Sequence, residues 1–541
     1  MLYEIICDRF KQKKIVFHTG LNTVLGDDVG SNSIGKTTFL MIIDFVFGGK
    51  DYVMLPSNDV QKNIGNHTIK FCFIFESKKH FFSRTTDDLD TIYRCDENYK
   101  SVSNFTLDDF CLFLKDKYRI SLNDISFRSI VGHFSRVYGK DNLDEKHPLN
   151  IVKNEKAGEP TNTLLKLFDL YKFIAQLDVL LKEKSNELSA YKNAQKYDYI
   201  STIGARKYKA NEKELENLIS EKEQIPTELD NNLLDLDSIK TEELLKLKAE
   251  LSKGKRNRSH LYAQLKNIEN NISSSGVFNK QNIEELFSFF PQASVKKFSE
   301  IEIFHKEIRH VLKFELNQKK TELLELVYIA DEYISGLEKN ISEISNCSNL
   351  SKAVLVRYSN LQKRIENLQG ENKSFDKLNS LKKAKVEVNE RRDKMKKEQL
   401  VQLQSTINGK MLEINDFIYL GQKKPPVISF AGNQYEFFTM DDTGTGTSYK
   451  SMIVYDLSIL KLTDLPMLIH DSVLLKQISD VAIEKILELY SNVNKQIFIS
   501  LDKLPAYTKK SQEILLTNRV LELSTGGNEL FGRSWNDREN E

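Results

Sequence analysis

Between about residues 163 and 415 glycine and proline nearly vanish, Leu, Lys, Glu and Asn dominate, and apolar side chains recur in steps of three and four. Leu167, Leu170, Ile174, Leu177 and Leu181 form one set. Leu244, Leu247 and Leu251 form another, followed by Leu261, Leu265, Ile268 and Ile272. Leu323, Val327, Ala330, Ile334, Leu337, Ile341 and Ile344 continue the stepping, as do Val354, Tyr358, Leu361, Ile365 and Leu368. This spacing is the seam of a coiled coil, a narrow apolar stripe that each helix buries against a partner. Gly254 and Arg258 occupy the register between two sets and form a weak spot in the seam. Residues 273–300, with Gly276 and Pro291, cannot be one continuous helix. They lie near the midpoint, so the simplest topology sends one helix out, turns there and returns antiparallel. At ~1.5 Å per residue, an unbroken arm of roughly 110 residues reaches on the order of 165 Å. That is an upper bound, because Gly204, Pro226 and Gly370 suggest elbows. An ordinary helical bundle is the alternative. The antiparallel coil is preferred because both ends of the chain have α/β texture and have to meet.

In the N-terminal segment, "KIVFHTGLNTVLG" reads as two strands and "TIKFCFIFES" with "HFFSRTT" as a hairpin. In the C-terminal segment, "PPVISF" and "QYEFFTMDD" read as strands, "SYKSMIVYDLSIL" as a helix and "LPMLIHD" as a buried strand. "VAIEKILELYSNV" reads as a helix and "KQIFISLD" as a second buried strand. The domains expected are 1–160 and 416–541 (two lobes of one α/β body), 161–272 (outgoing arm), 273–301 (tip) and 302–415 (returning arm).

Gly30-Ser31-Asn32-Ser33-Ile34-Gly35-Lys36-Thr37 fits the pattern G-x4-G-K-[ST], with Thr38 completing the loop. The glycines let successive backbone N–H groups aim at phosphate oxygens, Lys36 reaches the β- and γ-phosphates, and Thr37 ligates Mg2+. "LNTVLG" before the loop is an apolar strand; "TTFLMIIDFVF" after it is a buried helix with its N-terminus under the phosphates. A phosphate loop needs a carboxylate on another strand to hold the metal, and Asp471, after "LPMLI", is the candidate. The next position holds Ser472, a poor general base without help. His470 and Asp480 are nearby substitutes in sequence. Hydrolysis is therefore expected to be slow or to need a partner. Gly444, Thr445, Gly446, Thr447 and Ser448 form a donor-rich loop before a helix, suited to a γ-phosphate.

Lys plus Arg total 78 and Asp plus Glu 77, so no global field drives binding to nucleic acid or membrane. Cys7, Cys72, Cys95, Cys111 and Cys347 are scattered without a CxxC pair, which fits a reducing cytoplasm rather than a disulfide framework. The N-terminus lacks a signal-peptide layout, and the most apolar run, Phe39 to Phe47, is short and carries Asp44. No membrane partner is expected.

The order of phosphate loop, long coil, Gly/Ser loop with helix, and acid-ended strand resembles the SMC-like (repair-ATPase-like) branch of ABC ATPases. "GSNSIGKT" is similar to its Walker A, "TGTGTS" stands where its signature loop falls, and "LPMLIHDS" is similar to its Walker B strand. "LNTVLGDD…GKTTFLMIIDFVFGG", "FRSIVGHFSR", "EIEIFHKEIR" and "LPMLIHDS" resemble a bacterial subfamily found in ABC-three-component anti-phage defence operons. The fold implied is an α/β ABC-type P-loop ATPase head split by a long antiparallel α-helical coiled coil. The resemblance further implies a homodimer through the heads. ATP and Mg2+ bind at Gly30 to Thr38 and Asp471 of one copy, with Gly444 to Ser448 of the other in trans. It implies effector subunits such as a nuclease. This chain departs from the pattern: the Leu-Ser-Gly-Gly signature is absent and Ser472 replaces a glutamate. Arg128, His133 or Arg136 stand in for the missing Q-loop glutamine, and Leu501, Asp502 and Lys503 fill the switch position without a histidine.

Such heads also engage double-stranded DNA. Lys382, Lys383, Lys385, Arg391, Arg392, Lys394, Lys396 and Lys397 form a basic run that could track phosphates, interleaved with Glu387, Glu390 and Glu398. "KGKRNR", 253–258, is a weaker patch. Two functions follow: an ATP-driven, DNA-engaging sensor that controls an effector, or an ATP-locked scaffold with little turnover. A GTP-dependent mechanical protein would need an N/T-K-x-D motif, which the sequence lacks.

Overall fold

The computed structural model describes residues 1–31, 33–55, 60–122, 124–152, 155–229, 240–274, 295–345 and 352–535. Asn32 and most of the expected tip, 273–301, lie outside the described residues. The chain forms two compact units, Met1–Ala175 with Asp393–Glu541, and Gln176–Arg392.

The first unit is built on two sheets. A five-stranded sheet runs in the order Arg519–Glu522, Leu21–Leu25, Gln496–Leu501, Met467–His470, Ser135–Arg136, with every pairing parallel. Its three central strands are buried along their whole length. That explains why they read as continuous apolar runs rather than alternating ones. A six-stranded antiparallel sheet runs Lys14–Val16, Leu2–Ile6, Thr68–Phe75, Lys78–Thr85, Thr91–Cys95, Ser101–Thr106. The expected hairpin turns at Glu76 and Ser77, both with positive φ, the geometry of a two-residue hairpin loop. Thr91–Cys95 and Ser101–Thr106 extend this sheet beyond what the sequence reading foresaw.

Helix Lys36–Val46 is buried on nearly all faces, as a helix apolar all round must be. Phe47, at its end, meets Phe73 of the antiparallel sheet at 5.3 Å and Phe498 of the parallel sheet at 6.5 Å between ring centroids. The helix is thus held between the two sheets. The buried Arg84 guanidinium donates to Phe45 O in its last turn at 2.7 Å and to Gly49 O just beyond the helix at 2.8 Å. A separate hairpin, Pro426–Ala431 with Gln434–Thr439, precedes helix Thr445–Leu462. That helix begins at Thr445, so Thr445 to Ser448 form its first turn rather than a loop before it.

The second unit is helical, and its helices pair antiparallel. Helix Lys240–Ser274 runs against Val295–Ser345 through Lys255–Glu338, Arg258–Asp331 and Lys320–Glu269. Helix Ala205–Leu229 runs against Lys352–Tyr419 through Lys207–Glu371, Arg364–Glu214 and Arg357–Glu221. The two pairs do not form one simple extended rod. Ala194 packs in a shared core with Leu261, Leu265, Leu323, Leu326, Val327 and Ala330, so the inner pair lies back alongside the helix that ends at Lys196. Gly204 does mark a break, since it stands just before helix Ala205–Leu229; Pro226 and Gly370 lie within helices. Gly254 faces Ile334 and Tyr333 of the opposite helix, where a Cβ would make ordinary contact at 3.4 Å. Arg258 pairs with Asp331 across the seam. No helix among the described residues is long and apolar enough to cross a membrane.

Candidate nucleotide-binding site

All five strands of the parallel sheet point the same way, so the segments leaving their C-terminal ends converge, the usual place for a ligand in such a sheet. Strand Leu21–Leu25 leads into Gly26–Gly35, Met467–His470 into Asp471, and Gln496–Leu501 into Asp502. Gly30, Ser33 and Gly35 take positive φ of 78°, 60° and 100°. Gly35 is the N-cap of helix Lys36–Val46 and supplies no side-chain cap. The first-turn N–H groups and the helix dipole are therefore presented to an anion.

Thr37 Oγ1 donates to Asp471 Oδ2 at 2.8 Å, joining residues 434 positions apart. Asp471 is fully buried. Its Oδ2 also accepts from the Tyr138 N–H at 3.1 Å. Its Oδ1 accepts from Ser500 Oγ and from the Ser472 N–H, both at 2.7 Å. One carboxylate oxygen is thus fixed by the fold and the other faces the loop. Among the described residues no group of three or more His, Cys, Asp or Glu side chains could hold a metal. Thr37 nevertheless supplies a hard oxygen donor with the Asp471 carboxylate beside it, which fits Mg2+ completed by phosphate and water oxygens, with Asp471 acting through water.

Lys36 is buried; its Nζ donates to Ser31 O at 2.9 Å and pairs with Asp502 Oδ2 at 3.1 Å. Asp502 pairs also with Lys476 at 2.8 Å. Burial pushes the Asp502 carboxyl up, but Lys476 and Lys36 outweigh it and hold it below the usual carboxylate range.

His470 does not reach the water side of the site. Its Nδ1 meets Tyr490 OH at 2.7 Å and its Nε2 meets Asp456 Oδ2 at 3.0 Å, all buried. Neighbours on a strand face opposite ways, so seating Asp471 at the loop sends His470 into the core. Ser472 Oγ is turned back to Asp471 Oδ1 at 3.3 Å. Asp480 is the first residue of helix Asp480–Ser491. The three Q-loop substitutes are likewise committed elsewhere. Arg128 pairs with Asp44 at 2.8 Å, and Arg136 with Asp456 at 2.9 Å. His133 Nε2 lies 3.1 Å from Pro148 O. Each is a polar side chain on a buried segment, and a buried polar or charged group takes a partner in the core.

His133 yields a stability prediction. Burial, with the Arg136 charge behind it, lowers its pKa to about 4. The unfolded chain binds this proton near pH 6.5 and the folded chain does not, so stability falls as pH drops from about 6.5 toward 4. The group alone is expected to remove about 2–3 kcal/mol between pH 6.5 and 4.5. Urea titrations at both pH values should show a smaller loss for His133→Gln; an equal loss would refute the assignment.

Around Gly444 to Ser448, Asp442 sits at the helix N-terminus, accepting from the Gly444 N–H at 3.1 Å and from Thr447 Oγ1 at 2.8 Å. A Cβ on Gly446 would come within 2.4 Å of Gln477 O, so this turn packs against the segment after Asp471. Of the basic run, Lys382, Lys383, Arg391, Lys394 and Lys397 are exposed. Lys385 donates to Ser185 Oγ at 3.0 Å and Arg392 pairs with Asp178 at 3.6 Å. Lys396 is buried and donates to Asn433 Oδ1 at 2.9 Å, so it braces the hairpin rather than facing solvent.

Sequence reasoning missed Ser500, the Tyr138 N–H and Lys476. Ser500 is a lone hydroxyl in an apolar strand, a signal of a buried partner; the other two are fixed by tertiary pairing alone.

Residues 378–535 match a family described as an uncharacterised protein conserved in bacteria (DUF2326). Comparison with curated proteins gives no match. Among solved structures, the chain is similar to the Smc head domain with a coiled coil and joint from Pyrococcus yayanosii. The identity is 12%, with 98% of this chain and 96% of that chain covered and a TM-score of 0.41. It is also similar to the Smc head domain with an extended coiled coil from Pyrococcus furiosus, bound to the C-terminal domain of ScpA. There the identity is 12%, the coverage 98% and 95%, and the TM-score 0.34.

Proposed function

We propose that the α/β unit is the ATP-binding head of an SMC-like ABC ATPase. Two copies would pair through their heads with Mg·ATP between them. The observation that carries the reading is the 2.8 Å contact of Thr37 with Asp471, beside a lysine at the start of a buried helix. On this reading the backbone of Gly30 to Gly35 and the N–H groups of Lys36, Thr37 and Thr38 take the phosphates. Lys36 neutralises them, and Thr37 with Asp471 holds Mg2+. The bound metal would neutralise charge between the β- and γ-phosphates. Gly444 to Ser448 of the other copy would present their N–H groups and hydroxyls in trans.

The same geometry favours slow turnover. No acid follows Asp471, the Ser472 hydroxyl is tied to that carboxylate, and His470 is engaged in the core. This supports the second reading, an ATP-locked scaffold with little hydrolysis. The finer assignments rest on the sequence resemblance: a cytoplasmic subunit of a bacterial anti-phage complex, engaging double-stranded DNA through Lys382, Lys383, Arg391 and Lys397 and controlling a partner effector.

Light scattering tests the proposal. With Mg·ATP the mass is expected to double; with EDTA, or in Lys36→Ala with unchanged circular dichroism, it stays monomeric. A mass that ignores ATP would sink the sandwich. Steady-state ATPase, with and without DNA, separates the two readings. Turnover far below the ~1–10³ s⁻¹ of ordinary enzymes under both conditions selects the scaffold.

A further inference from the structure

We propose that Asp502 is a positioning residue that competes with phosphate for the Lys36 ammonium, and that Lys476 sets how strongly it competes. The inference rests on the reading of Gly30 to Thr38 as a nucleotide-binding loop.

Lys36 is buried, so its ammonium depends on protein partners, and these are Ser31 O at 2.9 Å and the Asp502 carboxylate at 3.1 Å. Asp502 cannot drift away. The residue before it, Leu501, accepts from the Gly26 N–H at 2.7 Å, and the residue after it, Lys503, donates its N–H to Asp27 O at 3.0 Å. Both flanks of Asp502 are therefore stitched to the start of the glycine-rich loop. Packing is tight enough that a Cβ on Gly26 would sit 2.9 Å from Lys36 Nζ and 3.0 Å from Asp502 Cβ. The carboxylate is almost wholly buried, whereas the Lys476 side chain on its other side is 38% exposed.

A phosphate that takes Lys36 has to share the ammonium with Asp502 or draw it off, and either way the ion pair weakens. The carboxylate then stays beside the incoming anion, in a buried place where like charges repel strongly. Among the described residues Lys476 is the remaining ion-pair partner of Asp502, so it keeps that repulsion small. It follows Ser472–Leu475, the short helix capped by Asp471, so the same segment carries the metal-side carboxylate and the counter-charge. Asp502 therefore lowers nucleotide affinity, while Lys476 raises it by acting through Asp502.

The two substitutions are expected to move binding in opposite directions. Calorimetric titration with a non-hydrolysable ATP analogue and Mg2+ should show Asp502→Asn binding about ten- to a hundredfold tighter, the size of a buried charge pairing that binding no longer weakens. Lys476→Ala should bind about tenfold weaker, by the same argument with one neutralising charge lost. In the Asp502→Asn background the Lys476→Ala effect should largely vanish. A purely structural role for the triad would weaken binding in both single variants. Asp502→Asn that folds and binds equally or more weakly overturns the inference, as do additive effects in the double variant. Should Asp502→Asn fail to fold, Lys476→Ala alone decides: unchanged or tighter binding overturns it. Wild-type protein that does not bind the analogue refutes the nucleotide reading and this inference with it. Wild-type binding that is lost in Lys36→Ala, with the Asp502 and Lys476 effects absent, refutes the inference alone.

Discussion

An Asp456→Ala chain is expected to lose about 3–5 kcal/mol of stability in its α/β unit, the cost of leaving a buried charge without its partner. Asp456 lies on helix Thr445–Leu462 and is fully buried. It accepts from Arg136 Nε at 3.0 Å and Nη2 at 2.9 Å, and its Oδ2 lies 3.0 Å from His470 Nε2. The cluster therefore ties the helix that opens at Gly444 to the strand before Asp471 and to the edge strand Ser135–Arg136. Without Asp456, Arg136 keeps two carbonyl partners, Asn142 O and Pro148 O, but among the described residues no ion-pair partner. Asp456→Asn keeps the shape and loses the charge, so its loss should be smaller. Replacing both Arg136 and Asp456 by leucine should cost less than the two single changes added together. The readout can be confined to the right unit. Trp535 is the only tryptophan and stacks on Phe531 in the α/β unit, so its fluorescence reports that unit while circular dichroism follows the helices. A midpoint for Asp456→Ala equal to the parent's would show that the cluster is not a stabilising link. Acid adds a second check. Burial pushes the Asp456 carboxyl up, but the Arg136 charge and the hydrogen bonds from His470 and Arg136 outweigh it and hold it below the usual range. Its contribution is complete above the ordinary carboxylate pKa near 4 and is lost as pH falls through the lower folded value.

What could be read from the sequence was whatever a local pattern determines. The strand, glycine loop and helix around Gly30 to Val46 are contiguous, and the apolar runs ending at His470 and Leu501 read as buried strands. The side a residue faces was harder. His470 and Asp471 are adjacent in sequence, yet one lies in the core and the other at the loop, because strand alternation separates them. Partners of buried charges were invisible for a related reason. Arg136 meets Asp456 across 320 positions, and Lys36 meets Asp502 only once two parallel strands are in register. The helical unit shows the same limit. Steps of three and four identify each buried stripe, and Leu261, Leu265, Leu323 and Val327 are indeed buried. The pattern does not name the helix that covers them, so the packing of Ala194 onto this seam could not be foreseen.

Asp471→Asn is expected to uncouple nucleotide binding from Mg2+. The wild-type carboxylate uses Oδ1 for Ser500 and the Ser472 N–H, and leaves Oδ2 to Thr37 and the Tyr138 N–H. An asparagine that keeps its oxygen toward Ser500 turns its amide toward Tyr138, setting donor against donor. The unpaired Tyr138 N–H costs about 1–3 kcal/mol, so the variant should melt lower but fold. Lys36 and the loop N–H groups are untouched, and affinity measured in EDTA should therefore change little. In Mg2+ the gain over EDTA should shrink by about 10–100-fold, as when an outer-shell ligand of a bound metal is removed. Asp471→Ala should lose the same Mg2+ effect and more stability, because Ser500 Oγ then also lacks its acceptor. Titrations with and without the metal, on both variants and on Thr37→Val, give the outcome. If Mg2+ strengthens binding to Asp471→Asn as much as to the parent, Asp471 is not the metal-side carboxylate, and the 2.8 Å contact with Thr37 is only a brace between a strand's end and a helix's first turn.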